Sequence, residues 1–305
     1  MSLYPRLTGS WVALPTPFDE KGAVNLDVFK ELIDFHIAHN TDGLLVLGSA
    51  GENSMLNIEE KKEIIKEISQ YARGHIPVLM GTTCGNTSES VNLTIFAQEC
   101  HAYGALMVVP GYVRPPQDDI LTFFDTVASS VNIPIAVYNN PTRVGVAITA
   151  QTAVHLAEIP NVIALKEAVP DFHYIIEVKK VIKDTIDILT CDSPHFSIIL
   201  PNLSIGGSGT ANITGNLAPE EFSDLSQPWK TFEDVERSRK LVFELFELMK
   251  YCYSVTNPVV IKAGLSILGI DVGAPRPPLQ KLNKKRKKEL TILMDALGIL
   301  EKYGM

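Results

Sequence analysis

Eight times along the chain a short apolar run is followed by an amphipathic stretch, and few architectures accommodate that alternation. The apolar runs are 10–15, 43–47, 78–81, 105–109, 135–138, 162–166, 186–190 and 206–210. Helical patterns follow at 25–39, 58–71, 87–103, 118–130, 149–158, 172–182, 194–200 and 219–225. Eight strand–helix units predict an α/β fold, a closed (β/α)8 TIM barrel. An open doubly wound sheet is the alternative, but no Gly-x-Gly-x-x-Gly follows the first run. After the eighth unit, 231–253, 258–268 and 284–300 read as further helices, with the proline-rich 273–278 as a break before the last. The expected division is a barrel over 1–225 and a C-terminal helical region over 226–305.

With 305 residues, 46% of them hydrophobic, the chain can fill a sizeable core. Its net charge is −8 (27 basic against 35 acidic residues), which argues against a nucleic-acid surface. The one basic run, 281–288, reads as a solvated helix start or a contact between subunits. The cysteines Cys84, Cys100, Cys191 and Cys252 form no CxxC pair and no zinc pattern, so no metal is expected. They read as reduced thiols of a cytoplasmic protein. No segment is apolar enough to span a membrane, and the first residues carry no apolar core of a signal peptide.

Lys166 ends the run Val162-Ile163-Ala164-Leu165, which has the unbroken apolarity of a strand buried on both faces. A lysine there either reaches water just past Leu165 or loses basicity through burial. A neutral lysine is a nucleophile able to form a Schiff base with a carbonyl substrate. In a barrel, chemistry gathers after the C-terminal ends of strands. The polar and glycine-rich segments fall there: Gly48-Ser49-Ala50-Gly51-Glu52, 111–115, 138–143, Lys166-Glu167, Cys191-Asp192-Ser193 and 209–212.

Three of these segments, Gly-Ser-Ala-Gly-Glu (48–52), Tyr-Asn-Asn-Pro-Thr-Arg-Val-Gly (138–145) and Leu-Lys-Glu-Ala (165–168), occur in an order that resembles one family. It is the dihydrodipicolinate synthase/N-acetylneuraminate lyase family of pyruvate-dependent class I aldolases. The resemblance extends from about Leu7 to Leu300. It implies that Lys166 forms an imine with pyruvate or a related 2-oxo acid, with no cofactor. It further implies proton transfer by Tyr138, relayed through Ser49 and through Tyr112 lent by a neighbouring subunit of a homo-oligomer, a dimer of dimers. Gly48, Ala50, Thr210 and Ala211 are expected to line the 2-oxo acid site. Ala50 lacks the hydroxyl that the family usually places there to hold the substrate carboxylate. Arg143 is expected to grip the carboxylate of the acceptor, with Asn140 and Thr142 beside it. Asp192 either binds a polar substrate tail or caps the next helix.

The reaction implied is condensation of pyruvate with L-aspartate semialdehyde, a step of lysine biosynthesis. The rival is aldol cleavage of a 2-keto-3-deoxy sugar acid or an N-acetylneuraminate-type substrate. A third possibility is a catalytically silent barrel that binds a 2-oxo acid. The lysine feedback site of the family carries over poorly: Gly111 and Gly85 replace its aromatic and amide residues, Glu89 matches, and Asn53, Ser54 and Ile58 stand at its other positions.

Overall fold

A computed structural model describes residues 4–195 and 197–305. Its centre is a closed barrel of eight parallel strands in sequence order. These are β1 (Gly9–Ala13), β2 (Gly43–Val46), β3 (Val78–Gly81), β4 (Gly104–Val108), β5 (Ile135–Asn139), β6 (Val162–Glu167), β7 (Asp187–Thr190) and β8 (Gly209–Asn212). The expected TIM barrel is what forms.

Side chains alternate between the two faces of the barrel wall. On β5, Ile135 and Val137 pack outward with Phe124, Val127, Ile175 and Val178 of the helix layer. Ala136 and Tyr138 face the other way, Tyr138 into the cavity at the barrel mouth. Asn25, Asn57, Asn86, Thr149, Asp171 and Thr231 cap the helices that follow them, so these helices begin where a side-chain acceptor satisfies the first free N–H groups. The seam between β1 and β8 closes on Gly9 and Gly209. A Cβ at Gly209 would lie 2.1 Å from the Gly9 carbonyl oxygen, so only glycine allows that approach.

Most elements lie within two residues of their expected bounds; the helix expected to run to 103 ends at Glu99, and two further departures fall at the end of the barrel. The last strand is three residues later than expected, 209–212 in place of 206–210. Gly206, at φ +81, and Gly207, whose missing Cβ makes room for Asn202, form the turn that precedes it. The helix expected at 194–200 is Ile199–Ser204. Farther on, the last helical stretch splits into Lys284–Ala296 and Ile299–Tyr303 around Gly298 at φ +70.

The expected boundary at 225/226 falls inside the helix Pro219–Ser226. Leu245, Leu248, Met249, Val260, Leu265 and Leu290 of the C-terminal helices share one hydrophobic cluster with barrel residues such as Val12 and Leu45. The C-terminal region is therefore continuous with the barrel core. No helix among the described residues is long and apolar enough to cross a membrane.

Candidate active site

Tyr138 and Lys166 are register partners on β5 and β6, two residues that strand geometry sets side by side. Both point into the mouth of the barrel. Lys166 is 6% exposed, and its Nζ sits 4.3 Å from the centre of the Tyr138 ring. Burial lowers the Lys166 pKa, against the weaker pull of Cys191 and Asp192. The strand continues through Glu167, so the amine does not escape to water at Leu165. A cavity of about 360 Å³ opens over the amine, lined by Ser49, Ala50, Tyr138, Asn140, Arg143 and Lys166 among others. A second cavity of about 600 Å³, which includes Gly48, Gly85 and Gly111, shares Ser49, Tyr138, Arg143, Thr256 and Asn257 with the first.

Burial raises the Tyr138 pKa well above that of a free phenol, and Cys191 adds to the rise. The Asn140 amide opposes it by donating to the phenol oxygen at 2.6 Å. Cys191, on the β7 side, is itself pushed up to about 11 by burial and stays a thiol. Ser49 lines both cavities without a hydrogen bond to Tyr138 among the described residues.

The loop after β2 is built around a strained turn. Leu47 is buried yet adopts φ 59, and Glu52 adopts φ 54. Asn53 donates to the Leu47 carbonyl at 2.7 Å, and a Cβ at Gly81 would lie 2.0 Å from that same oxygen. Thr16 donates to the Gly51 carbonyl at 2.6 Å. The N–H groups of Ser49 and Ala50 take no part in the backbone hydrogen bonds of the described residues. Both residues line the smaller cavity.

The loop is latched from the C-terminal region. Lys262 Nζ lies 2.8 Å from Glu52 Oε1 with both side chains buried, and burial lowers the lysine pKa to about 8. Glu52 Oε2 accepts from the Arg276 backbone N–H at 2.7 Å. The Arg276 guanidinium pairs with Glu60 and stacks on Phe18, 4.4 Å from the ring centre.

Two sequence expectations move, those for Thr210 and Asp192. Thr210 faces outward: its hydroxyl is 2.7 Å from Ser226 on the covering helix and accepts from Asn212 at 2.9 Å. It lines neither cavity, whereas Ala211 does. Asp192 does not cap the next helix, and both of its oxygens accept hydrogen bonds, with the Ile213 N–H among the donors. It accepts from the N–H and hydroxyl of Thr214, at 2.9 and 2.5 Å, and from the Tyr253 hydroxyl at 2.5 Å. Tyr112 is fully exposed in the turn after β4, at φ 74, and lines neither cavity of its own chain. Arg143, in the short helix Pro141–Val144, lines both cavities.

Sequence reasoning missed Tyr253, Thr256 and Asn257, which line the smaller cavity from the link between two C-terminal helices. The Asn257 Oδ1 is buried and unpartnered. The Asn-Pro dipeptide at 257–258 was the only local mark of that segment. Among the described residues no group of three His, Cys, Asp or Glu side chains could hold a metal ion.

Known proteins place this geometry. The chain is 34% identical over 299 residues to 4-hydroxy-tetrahydrodipicolinate synthase of Nitratidesulfovibrio vulgaris, covering 97% of this chain and 100% of that one. It is 33% identical to the synthase of the same name from Caldicellulosiruptor saccharolyticus, covering 97% and 98%. The crystal structure of dihydrodipicolinate synthase from Aquifex aeolicus superposes with a TM-score of 0.90 at 34% identity, over 98% of this chain and 99% of that one. The family model described as the dihydrodipicolinate synthetase family matches residues 6–297, and with Lys166, Tyr138 and Arg143 gathered at one cavity the chain belongs to that family.

Proposed function

We propose that this protein is a Schiff-base-forming lyase that condenses pyruvate with L-aspartate semialdehyde, a 4-hydroxy-tetrahydrodipicolinate synthase. The observation that carries the reading is the buried Lys166, its basicity lowered, in a cavity shared with a phenol and an arginine. A lysine of lowered pKa is more often neutral, and the neutral amine attacks the keto carbon. Tyr138 gives a proton to the resulting hydroxyl, water leaves, and an iminium remains. The iminium draws electrons from C3. A C3 proton is lost, the enamine attacks the aldehyde carbon, and the aldehyde oxygen takes up a proton as the C–C bond forms. Hydrolysis of the imine frees Lys166. Homology supports the same reading, since relatives across nearly their whole length bear the synthase name.

The N–H groups of Ser49 and Ala50 suit the 2-oxo acid carboxylate. Arg143, exposed at the mouth, suits the acceptor carboxylate through two parallel bonds. The projecting Tyr112, fully exposed beside Val113 at 67%, fits a residue lent to a neighbouring protomer's site in a homo-oligomer. The four free cysteines suit a reducing compartment, the cytoplasm.

A second reading, cleavage of a 2-keto-3-deoxy sugar acid, is favoured by one observation. Ala50 places a methyl group on the cavity wall, and hydroxyls and amides at Thr142, Ser193, Thr256 and Asn257 surround the remaining space. The deciding experiment is incubation with pyruvate and borohydride, followed by peptide mapping and a panel of acceptors. An adduct on Lys166 and turnover with the semialdehyde support the synthase. An adduct with turnover only of a keto-deoxy acid supports the second reading. An adduct with no product from any acceptor leaves a silent binding barrel, and no adduct removes the Schiff base.

A further inference from the structure

We propose that Asn140, braced by Thr142, is a positioning residue that aims the Tyr138 hydroxyl into the cavity and stabilises its phenolate, a role within one protomer. This rests on reading Tyr138 as the proton-transfer group. The three side chains alternate along one turn of chain. Thr142 Oγ1 donates to Asn140 Oδ1 at 2.6 Å, and Asn140 Nδ2 donates to the Tyr138 oxygen at 2.6 Å. Asn140 is 6% exposed and occupies the N-cap of the helix Pro141–Val144, yet its side chain caps nothing. An asparagine at that position ordinarily spends its oxygen on the first turn of the helix. Here the amide turns back to the phenol, and the threonine hydroxyl holds its oxygen end.

Two consequences follow from the direction of these bonds. The phenol oxygen receives a hydrogen from Asn140 and gives its own to the Cys191 thiol, which lines the same cavity. A donor on that oxygen also favours the ionised form over the neutral one. Burial and the Cys191 thiol oppose ionisation, while Arg143 favours it; Tyr253 lines the same cavity and Lys166 lies over the ring. Asn140 is the hydrogen-bond donor among these influences that works against burial. An amide does not itself pass a proton along, so the role is orientation and charge stabilisation.

The test uses the full-length protein, with Asn140→Leu, Thr142→Val and Thr142→Ser compared with wild type. One readout is kcat against pH with KM for pyruvate. The other is the Tyr138 ring resonance in tyrosine-labelled protein, assigned through Tyr138→Phe. Asn140→Leu is expected to lower kcat at neutral pH about tenfold, to change KM less than about twofold, and to move the limb due to Tyr138 up by about one pH unit. The ring resonance shifts with it. Thr142→Val gives the same pattern at about two- to threefold, and Thr142→Ser restores wild-type values. An unmoved resonance with an unchanged pH profile overturns the proposal, as does a uniform loss of activity with both unchanged. If Asn140→Leu fails to fold, the contrast between valine and serine at the exposed Thr142 decides alone. A wild-type protein that gives no borohydride adduct at Lys166 refutes the functional reading, while the ring resonance still tests the hold of Asn140 on Tyr138.

Discussion

Two consecutive register pairs on β5 and β6 meet opposite fates. Tyr138 and Lys166 face the barrel mouth, while Asn139 and Glu167, one residue on, face the helix layer. The outer pair is tied into a network. Tyr174 donates to Glu167 Oε1 at 2.9 Å and receives the Asn139 amide at 3.2 Å, and Asn139 Oδ1 accepts from the Ile148 N–H at 3.0 Å. The inner lysine has no ion pair among the described residues, and its phenol neighbour bonds only to Asn140 and Cys191, side chains that line the same cavity. All four residues are buried, so burial alone does not mark the reactive pair. What separates them is whether a polar group is committed to protein partners or left facing a cavity.

The sharpest way to break this comparison is to neutralise each member in turn. Lys166→Met removes the nucleophile and should lower kcat by about four decades or more, with no borohydride adduct. Glu167→Gln keeps the shape and one donor–acceptor set, and kcat should stay within about threefold of wild type. Steady-state assays of both variants check this. A Glu167→Gln enzyme as dead as Lys166→Met would show that the outer pair takes part in the chemistry.

Arg143 extends the inner side of the comparison to the cavity mouth. Arg143→Ala should cut kcat/KM for aspartate semialdehyde by about two decades while pyruvate still forms its adduct on Lys166. Loss of the adduct as well would place the arginine on the 2-oxo acid instead. A smaller change is expected at Ala50, which offers a backbone N–H but no hydroxyl. Ala50→Thr should lower the pyruvate KM by up to about tenfold, measured at saturating acceptor. A raised KM would mean that the methyl group is matched to a different substrate.

Much of this was legible in the sequence, for physical reasons that differ by residue. The barrel was readable because eight buried strands must be apolar and their helices amphipathic. The burial of Lys166 was legible only with the motifs around it, since the strand alone also fits a lysine that reaches water past Leu165. Thr210 was placed at the site by resemblance alone; in the barrel it pairs with Ser10 and its hydroxyl meets Ser226 of the covering helix, while its neighbour Ala211 faces the cavity. Asp192 was misread because the partners that saturate it, Thr214 and Tyr253, lie 22 and 61 residues away. Tyr253 and Asn257 reach the cavity because the C-terminal helices share the barrel core, and no local period records such a long-range contact.

The smallest expected effect on activity belongs to Glu167, and its signature is instead in stability. Burial raises its pKa from an ordinary 4.5 to about 8, against the hydrogen bonds from Tyr174 and Asn139, and Oε2 is left without a partner. The folded protein therefore holds a proton there that the unfolded chain releases above its own lower pKa. The sign follows from proton linkage: this contribution is fully present below about 4.5 and is lost as pH rises to about 8, beyond which it is level. The slope within that window is at most about 1.4 kcal/mol per pH unit. Glu167→Gln cannot titrate, so its denaturant midpoint should fall less steeply than that of wild type across the window. The two curves should run parallel above it. Parallel curves throughout would mean that Glu167 is already ionised in the folded protein, and the outer pair would then carry a buried charge that the inner pair does not.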